Sequence, residues 1–69
     1  PNPTNENIRV ELQQPATNSI IEVLDVNGKK VNAKVIRYTN YLEIIRSNQM
    51  SGTYFLRIGN ETKPFVWVD

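Results

Sequence analysis

Apolar and polar residues alternate along most of the chain, which is the pattern of β-strands with one buried face. Turn-forming residues interrupt the alternation at short intervals, and no stretch has the 3.6-residue period of a helix. We therefore predict strands within residues 8–13, 19–26, 31–36, 41–46, 54–58 and 65–68. Short strands separated by turns in this way favour an all-β fold, a small immunoglobulin-like antiparallel β-sandwich of about six to seven strands.

The alternation also predicts which side chains form the core. We expect Met50, in the polar connection before the fifth strand, to close one end of it. Pro64 has no backbone N–H, so the last strand should begin there or lie at a sheet edge. The residues predicted to be buried together are Val10, Leu12, Val23, Val35, Leu42, Ile44, Tyr54, Leu56 and Ile58.

Two turns carry the strongest local signals. Asn27-Gly28 predicts a tight primed hairpin turn, with Gly28 at positive φ and the Asp25 carboxylate accepting backbone N–H groups. Gly52-Thr53-Tyr54 is typical of the tyrosine corner of immunoglobulin-like sandwiches, in which the Tyr hydroxyl bonds to backbone upstream.

Length and charge narrow the class of protein further. The chain has 69 residues, with 8 Lys and Arg against 7 Asp and Glu, so residues 1–69 should form a single domain without a basic surface for nucleic acid. No apolar run is long enough to span a bilayer. Because the first residue is Pro and not Met, we expect a module of a longer protein.

The residue types that most enzymes use are missing. The chain contains no His and no Cys, so the usual general base, thiol nucleophile and zinc ligands are absent. The three strand glutamates, Glu11, Glu22 and Glu43, fall at outward positions. We therefore predict no catalytic, cofactor-binding or metal-binding residues and expect that the chain is not an enzyme.

Three motifs in order carry a resemblance to a known family. Pro1-Asn2-Pro3 opens the chain, Asp25-x-x-Gly28-Lys29-x-Val31 marks the hairpin, and Gly52-x-Tyr54 precedes the fifth strand. Their order and spacing resemble the type A C-terminal sorting domain of the type IX secretion system, the Por secretion family of Bacteroidota-type bacteria. The resemblance covers the whole chain, and it implies that residues 1–69 are the C-terminal module of a larger secreted protein. Family members usually end in a lysine-rich apolar strand, whereas Lys63 is the one basic residue here after position 60.

The resemblance implies a function as an address. Such a domain is recognised by the secretion translocon, is processed by a sortase-like protease, and takes its parent protein through the periplasm to the cell surface or medium. It implies that motif or recognition roles fall on Pro1, Asn2, Pro3, Asp25, Gly28, Gly52, Tyr54 and Lys63. A structural accessory module that packs against the preceding domain is an alternative function, and a carbohydrate-binding module is another.

Several apolar residues are predicted to point outward. They are Ile20, Leu24, Tyr41, Ile45, Phe55 and one of Phe65 and Trp67. Three explanations remain open: a strand bulge or covering loops that alter the pattern, a contact surface for a protein partner, or a sugar-stacking platform of Tyr38, Tyr41 and Trp67.

Overall fold

The computed structural model describes residues 6–13 and 19–69 and has no helix within them. Its six β-strands form two three-stranded antiparallel sheets, as predicted for a small β-sandwich. The strands are β1 (Ile8–Glu11), β2 (Ile21–Leu24), β3 (Lys34–Arg37), β4 (Tyr41–Ile45), β5 (Gly52–Ile58) and β6 (Glu61–Trp67).

The strand order is β1-β4-β3 in one sheet and β2-β5-β6 in the other. Each sheet therefore has a central strand, β4 or β5, whose backbone is paired on both sides. The paired registers run without a bulge, so the two-residue alternation of the sequence becomes an inner and an outer face on every strand.

The core lies between the inner faces of the two sheets. Both sheets contribute to its buried members, which are Ile8, Val23, Leu42, Ile44, Tyr54, Leu56, Phe65 and Trp67. Five of the nine predicted core residues are among these eight. The other four, Val10, Leu12, Val35 and Ile58, are partly buried and pack against the cluster. The predicted core is thus confirmed, and Ile8, Phe65 and Trp67 complete it.

Two expectations about apolar side chains are wrong, and a third holds only in part. Leu24 is on the same face of β2 as Glu22, as predicted, but it is only 6% exposed because it lies between Phe55 of β5 and Lys30 of the hairpin. Phe65 and Trp67 both face the core, so neither joins the outer face. Met50 is 81% exposed and does not close the core. Ile20 is exposed as predicted.

The third strand is shorter than predicted because the chain changes sheets. The backbone N–H of Val31 still bonds to Val23 of β2, whereas Lys34–Arg37 pairs with β4 in the other sheet. Between them the Ala33 N–H bonds to the Val31 carbonyl at 2.9 Å, a three-residue turn that interrupts the ladder.

The last strand is longer than predicted and includes Pro64. Gly59, with φ +57°, and Asn60 form a two-residue hairpin turn, and β6 pairs with β5 from Glu61 onward. Since β6 is an outer strand of its sheet, Pro64 lies at a sheet edge, which is one of the two predicted placements.

Candidate recognition surface

The Asp25 hairpin is stabilised by the aspartate itself. Its Oδ1 accepts the backbone N–H of Asn27 at 2.8 Å and that of Lys29 at 3.0 Å. The Asp25 carbonyl accepts the N–H of Gly28 at 3.0 Å and so closes a β-turn. The predicted role of Asp25 as the turn-stabilising carboxylate is confirmed.

The type of this turn differs from the prediction. Gly28 has φ +80°, as expected, but no residue other than glycine has positive φ in the described part of the chain, so Asn27 does not. A primed turn with Asn27 as its first central residue would need positive φ at Asn27, in type I′ and in type II′ alike. The observed arrangement is a turn followed by a glycine in the left-handed region, which is typical of a three-residue hairpin loop.

The Gly52–Tyr54 segment forms the predicted corner. Gly52, with φ +150°, begins β5, and the Tyr54 hydroxyl donates to the Met50 carbonyl at 2.6 Å. The Tyr54 ring packs edge-on against Trp67, with 5.1 Å between ring centroids, and against Phe65 at 5.9 Å. Tyr54 therefore joins the connection before β5 to the aromatic part of the core.

The described motif residues divide between two places. Leu24 pairs with Phe55, so the Asp25 turn lies towards the same end of the sheet as Gly52 and Tyr54. Lys63 is exposed on β6 opposite Leu56, nearer the other end. Pro1, Asn2 and Pro3 lie outside the described residues.

Ion pairs cover part of the outer face of the β2-β5-β6 sheet. Glu22 lies 2.9 Å from Lys30 Nζ and 3.3 Å from Arg57 Nη1, and its side chain is 16% exposed. The hydrogen bond from Lys30, together with the charges of Lys30 and Arg57, lowers the pKa of the Glu22 carboxyl below its ordinary value of 4.5. This cluster links β2, β5 and the Asp25 hairpin.

The outer face of the other sheet carries a stack of three planar groups. The Tyr38 and Tyr41 rings are parallel with centroids 4.5 Å apart, and the Arg9 guanidinium lies 3.8 Å from the Tyr41 centroid. A sugar could therefore not lie flat on Tyr41, because both ring faces are occupied. Trp67 is fully buried, so the suggested platform of Tyr38, Tyr41 and Trp67 does not form.

Two residues, Trp67 and Arg46, organise the end of the sandwich near the Gly52 corner, and this role was not predicted for either of them from the sequence. Trp67 Nε1 donates to the Glu6 carbonyl at 2.9 Å, and the Arg46 side chain bonds to the carbonyls of Gln49 and Val68. These contacts are invisible to sequence patterns because most of them join residues far apart in the chain.

Within the described residues, no group of His, Cys, Asp and Glu is arranged to hold a metal ion. The same part of the chain contains no helix long and apolar enough to cross a membrane.

Comparison with protein-family models supports the family that the three ordered motifs suggest. The family model described as "Secretion system C-terminal sorting domain" matches residues 1–67. A search of curated proteins and a search of solved structures each found no match. The family comprises sorting signals of the type IX secretion system and is not an enzyme family. Since the match covers nearly the whole chain, this chain belongs to the secretion system C-terminal sorting domain family and acts as a sorting signal that directs its parent protein to the cell surface or medium.

Proposed function

We propose that the type IX machinery recognises this sorting signal as a folded sandwich and not as a linear peptide. The observation that carries the proposal is how the motif residues are used. The Asp25 carboxylate bonds within its own turn, and the Tyr54 hydroxyl bonds within its corner. Groups already engaged inside the fold are poorly placed to be read individually, so their contribution is the shape that they maintain.

The recognised partner is, in this proposal, the outer-membrane translocon, and a sortase-like protease then processes the exported protein. Strand β6 is the part of the sandwich that we assign to contact with the translocon. It is an edge strand, and Lys63 on it is exposed. Pro1, Asn2 and Pro3 belong to the signal by resemblance, and residues 1–69 act as one module.

A reporter fusion tests whether the fold is the signal. The whole chain is fused to the C-terminus of a periplasmic reporter in a host with a type IX system, and surface and medium reporter are quantified. Tyr54→Asp places a charge in the aromatic core and should abolish export by unfolding the domain. Ser47→Ala should leave export unchanged, because the contacts of the Ser47 hydroxyl with described residues are long, 3.5 Å each, and lie at the surface.

Two results would contradict the proposal. One is export of the Tyr54→Asp fusion at the level of the unmodified fusion while circular dichroism shows the domain to be unfolded. The other is periplasmic retention of the unmodified fusion although its domain is folded.

A further inference from the structure

The Arg46 side chain connects three separate segments at one end of the sandwich. Its Nη1 donates to the Val68 carbonyl at 2.6 Å, and its Nε and Nη2 donate to the Gln49 carbonyl at 3.1 and 2.9 Å. Its backbone N–H donates to Asn7 Oδ1 at 3.0 Å. One residue thus links the segment entering β1, the turn after β4 and the residues that follow β6.

The Arg46 side chain is more buried than is usual for arginine, which is mostly exposed in proteins. The side chain is only 14% exposed, and its guanidinium lies 5.6 Å from the Trp67 ring centroid. The Asp69 carboxylate lies 3.5 Å from Arg46 Nη2, but its side chain is 87% exposed, so this ion pair adds little. The planar donor fork is instead directed at backbone carbonyls of two segments at once, which fixes their relative position.

We propose that Arg46 is a positioning residue of the sorting signal, which holds residues 68 and 69 against the turn after β4 in the arrangement that export requires. The proposal rests on the proposed function, in which β6 contacts the translocon. Residues 68 and 69 continue directly from β6, so their placement determines what surface the end of that strand offers. An apolar side chain could cover Trp67 equally well but could not hold the Val68 carbonyl.

The test uses the same reporter fusion with three substitutions. Arg46→Met keeps the length of the stem over Trp67 and loses all three carbonyl bonds. Arg46→Lys keeps the charge, but a single ammonium cannot reproduce the planar fork. Arg57→Met is the matched control, because it removes an arginine of β5 that forms a surface ion pair with Glu22 of β2, in the other sheet from β4. For each variant, the amount of reporter at the cell surface is divided by the total amount of folded reporter, which is measured as the protease-resistant fraction.

If Arg46 positions the segment, Arg46→Met should lower this ratio about tenfold, Arg46→Lys should be intermediate, and Arg57→Met should match the unmodified fusion. NMR order parameters of the purified chain supply a readout that stability alone would not change. The Val68 and Asp69 amides should become mobile in Arg46→Met while β5 stays rigid.

An Arg46→Met domain that is folded and exported as well as the unmodified one would overturn the inference. So would an Arg46→Met domain whose residues 68 and 69 stay as ordered as before. If Arg46→Met does not fold, export and the order of residues 68 and 69 are measured in Arg46→Lys instead. An unchanged value of either one would then overturn the inference. Retention of the unmodified fusion is a separate outcome that removes the proposed function and the inference with it, since it appears without any substitution at Arg46.

Discussion

Single side chains stabilise this domain chiefly by giving partners to backbone groups at its turns. Asp25 accepts two N–H groups of its hairpin, and Tyr54 donates to a carbonyl at the start of β5. An unsatisfied buried backbone group costs free energy, so the part-buried Tyr54 bond should contribute more to stability than the exposed Asp25 bonds. The corner, the glycines and an outer ion pair can each be tested at this scale.

Tyr54→Phe should lower the free energy of unfolding by about 1 kcal/mol, because it keeps the buried ring and removes the hydroxyl bond to Met50. Urea denaturation measures the change. Tyr38→Phe is the control, since the Tyr38 ring is partly exposed and stacks on Tyr41 through its face. Equal midpoints for Tyr54→Phe and the unmodified chain would show that the corner bond contributes nothing.

Gly28→Val and Gly52→Val should each lower the free energy of unfolding by about 1–3 kcal/mol, because a β-branched residue is strained at positive φ. Among the described residues, a Cβ at either position would meet no heavy atom within 4 Å beyond its chain neighbours, so the cost is in the backbone and not in crowding. Gly28→Asn should cost less than Gly28→Val in the same urea titrations, since Asn tolerates the left-handed region. Equal losses for Asn and Val at position 28 would contradict this explanation.

The Glu22 cluster should make stability depend on acid pH. Because the pKa of Glu22 is lowered in the folded state, its contribution is complete above the ordinary value of 4.5 and is lost as the pH falls through the folded value. In urea titrations at a series of pH values, Glu22→Gln should lack this part of the decrease. An identical pH dependence in both chains would show that the carboxylate gains nothing from Lys30 and Arg57.

At the scale of the element, local patterns predicted most of what the structure contains. The five longest predicted strands begin and end within a few residues of their predicted bounds. The bonds of Asp25 and Tyr54 could also be predicted, because each joins residues no more than four positions apart in the chain. The break between Val31 and Lys34 could not be predicted, because changing from one sheet to the other leaves the inward alternation of Val31, Ala33 and Val35 intact. The burial of Leu24 and the contacts of Arg46 depend on residues distant in sequence.

The register of β6 explains how a proline is accommodated in the strand. The two-residue turn makes Ile58 and Glu61 a hydrogen-bonded pair, and such pairs alternate along the ladder. Lys63 opposite Leu56 is therefore bonded to β5, whereas Pro64 opposite Phe55 is at a position whose N–H would point away from it.

Pro64→Thr should accordingly change the free energy of unfolding by no more than about 0.5 kcal/mol. Lys63→Pro should cost about 1–3 kcal/mol, because it deprives the Leu56 carbonyl of its donor. Urea midpoints of the two variants provide the comparison. A larger loss for Pro64→Thr than for Lys63→Pro would mean that the register is shifted by one residue.

At the scale of the whole molecule, the sandwich explains why a chain without His or Cys can still carry a specific function. Its two sheets bury their inner faces against each other and leave two different outer faces, one with the Glu22 cluster and one with the tyrosine stack. The family supplies the function, sorting by type IX secretion, and the fold supplies a surface of defined shape for that function.

The most direct test of this account is the amount of surface-exposed reporter carrying the whole chain at its C-terminus, compared between two otherwise identical hosts. One host has a functional type IX translocon and the other does not. The account predicts reporter at the surface or in the medium of the first host and periplasmic reporter in the second. Equal surface reporter in both hosts, or periplasmic retention of a folded fusion in both, would contradict it.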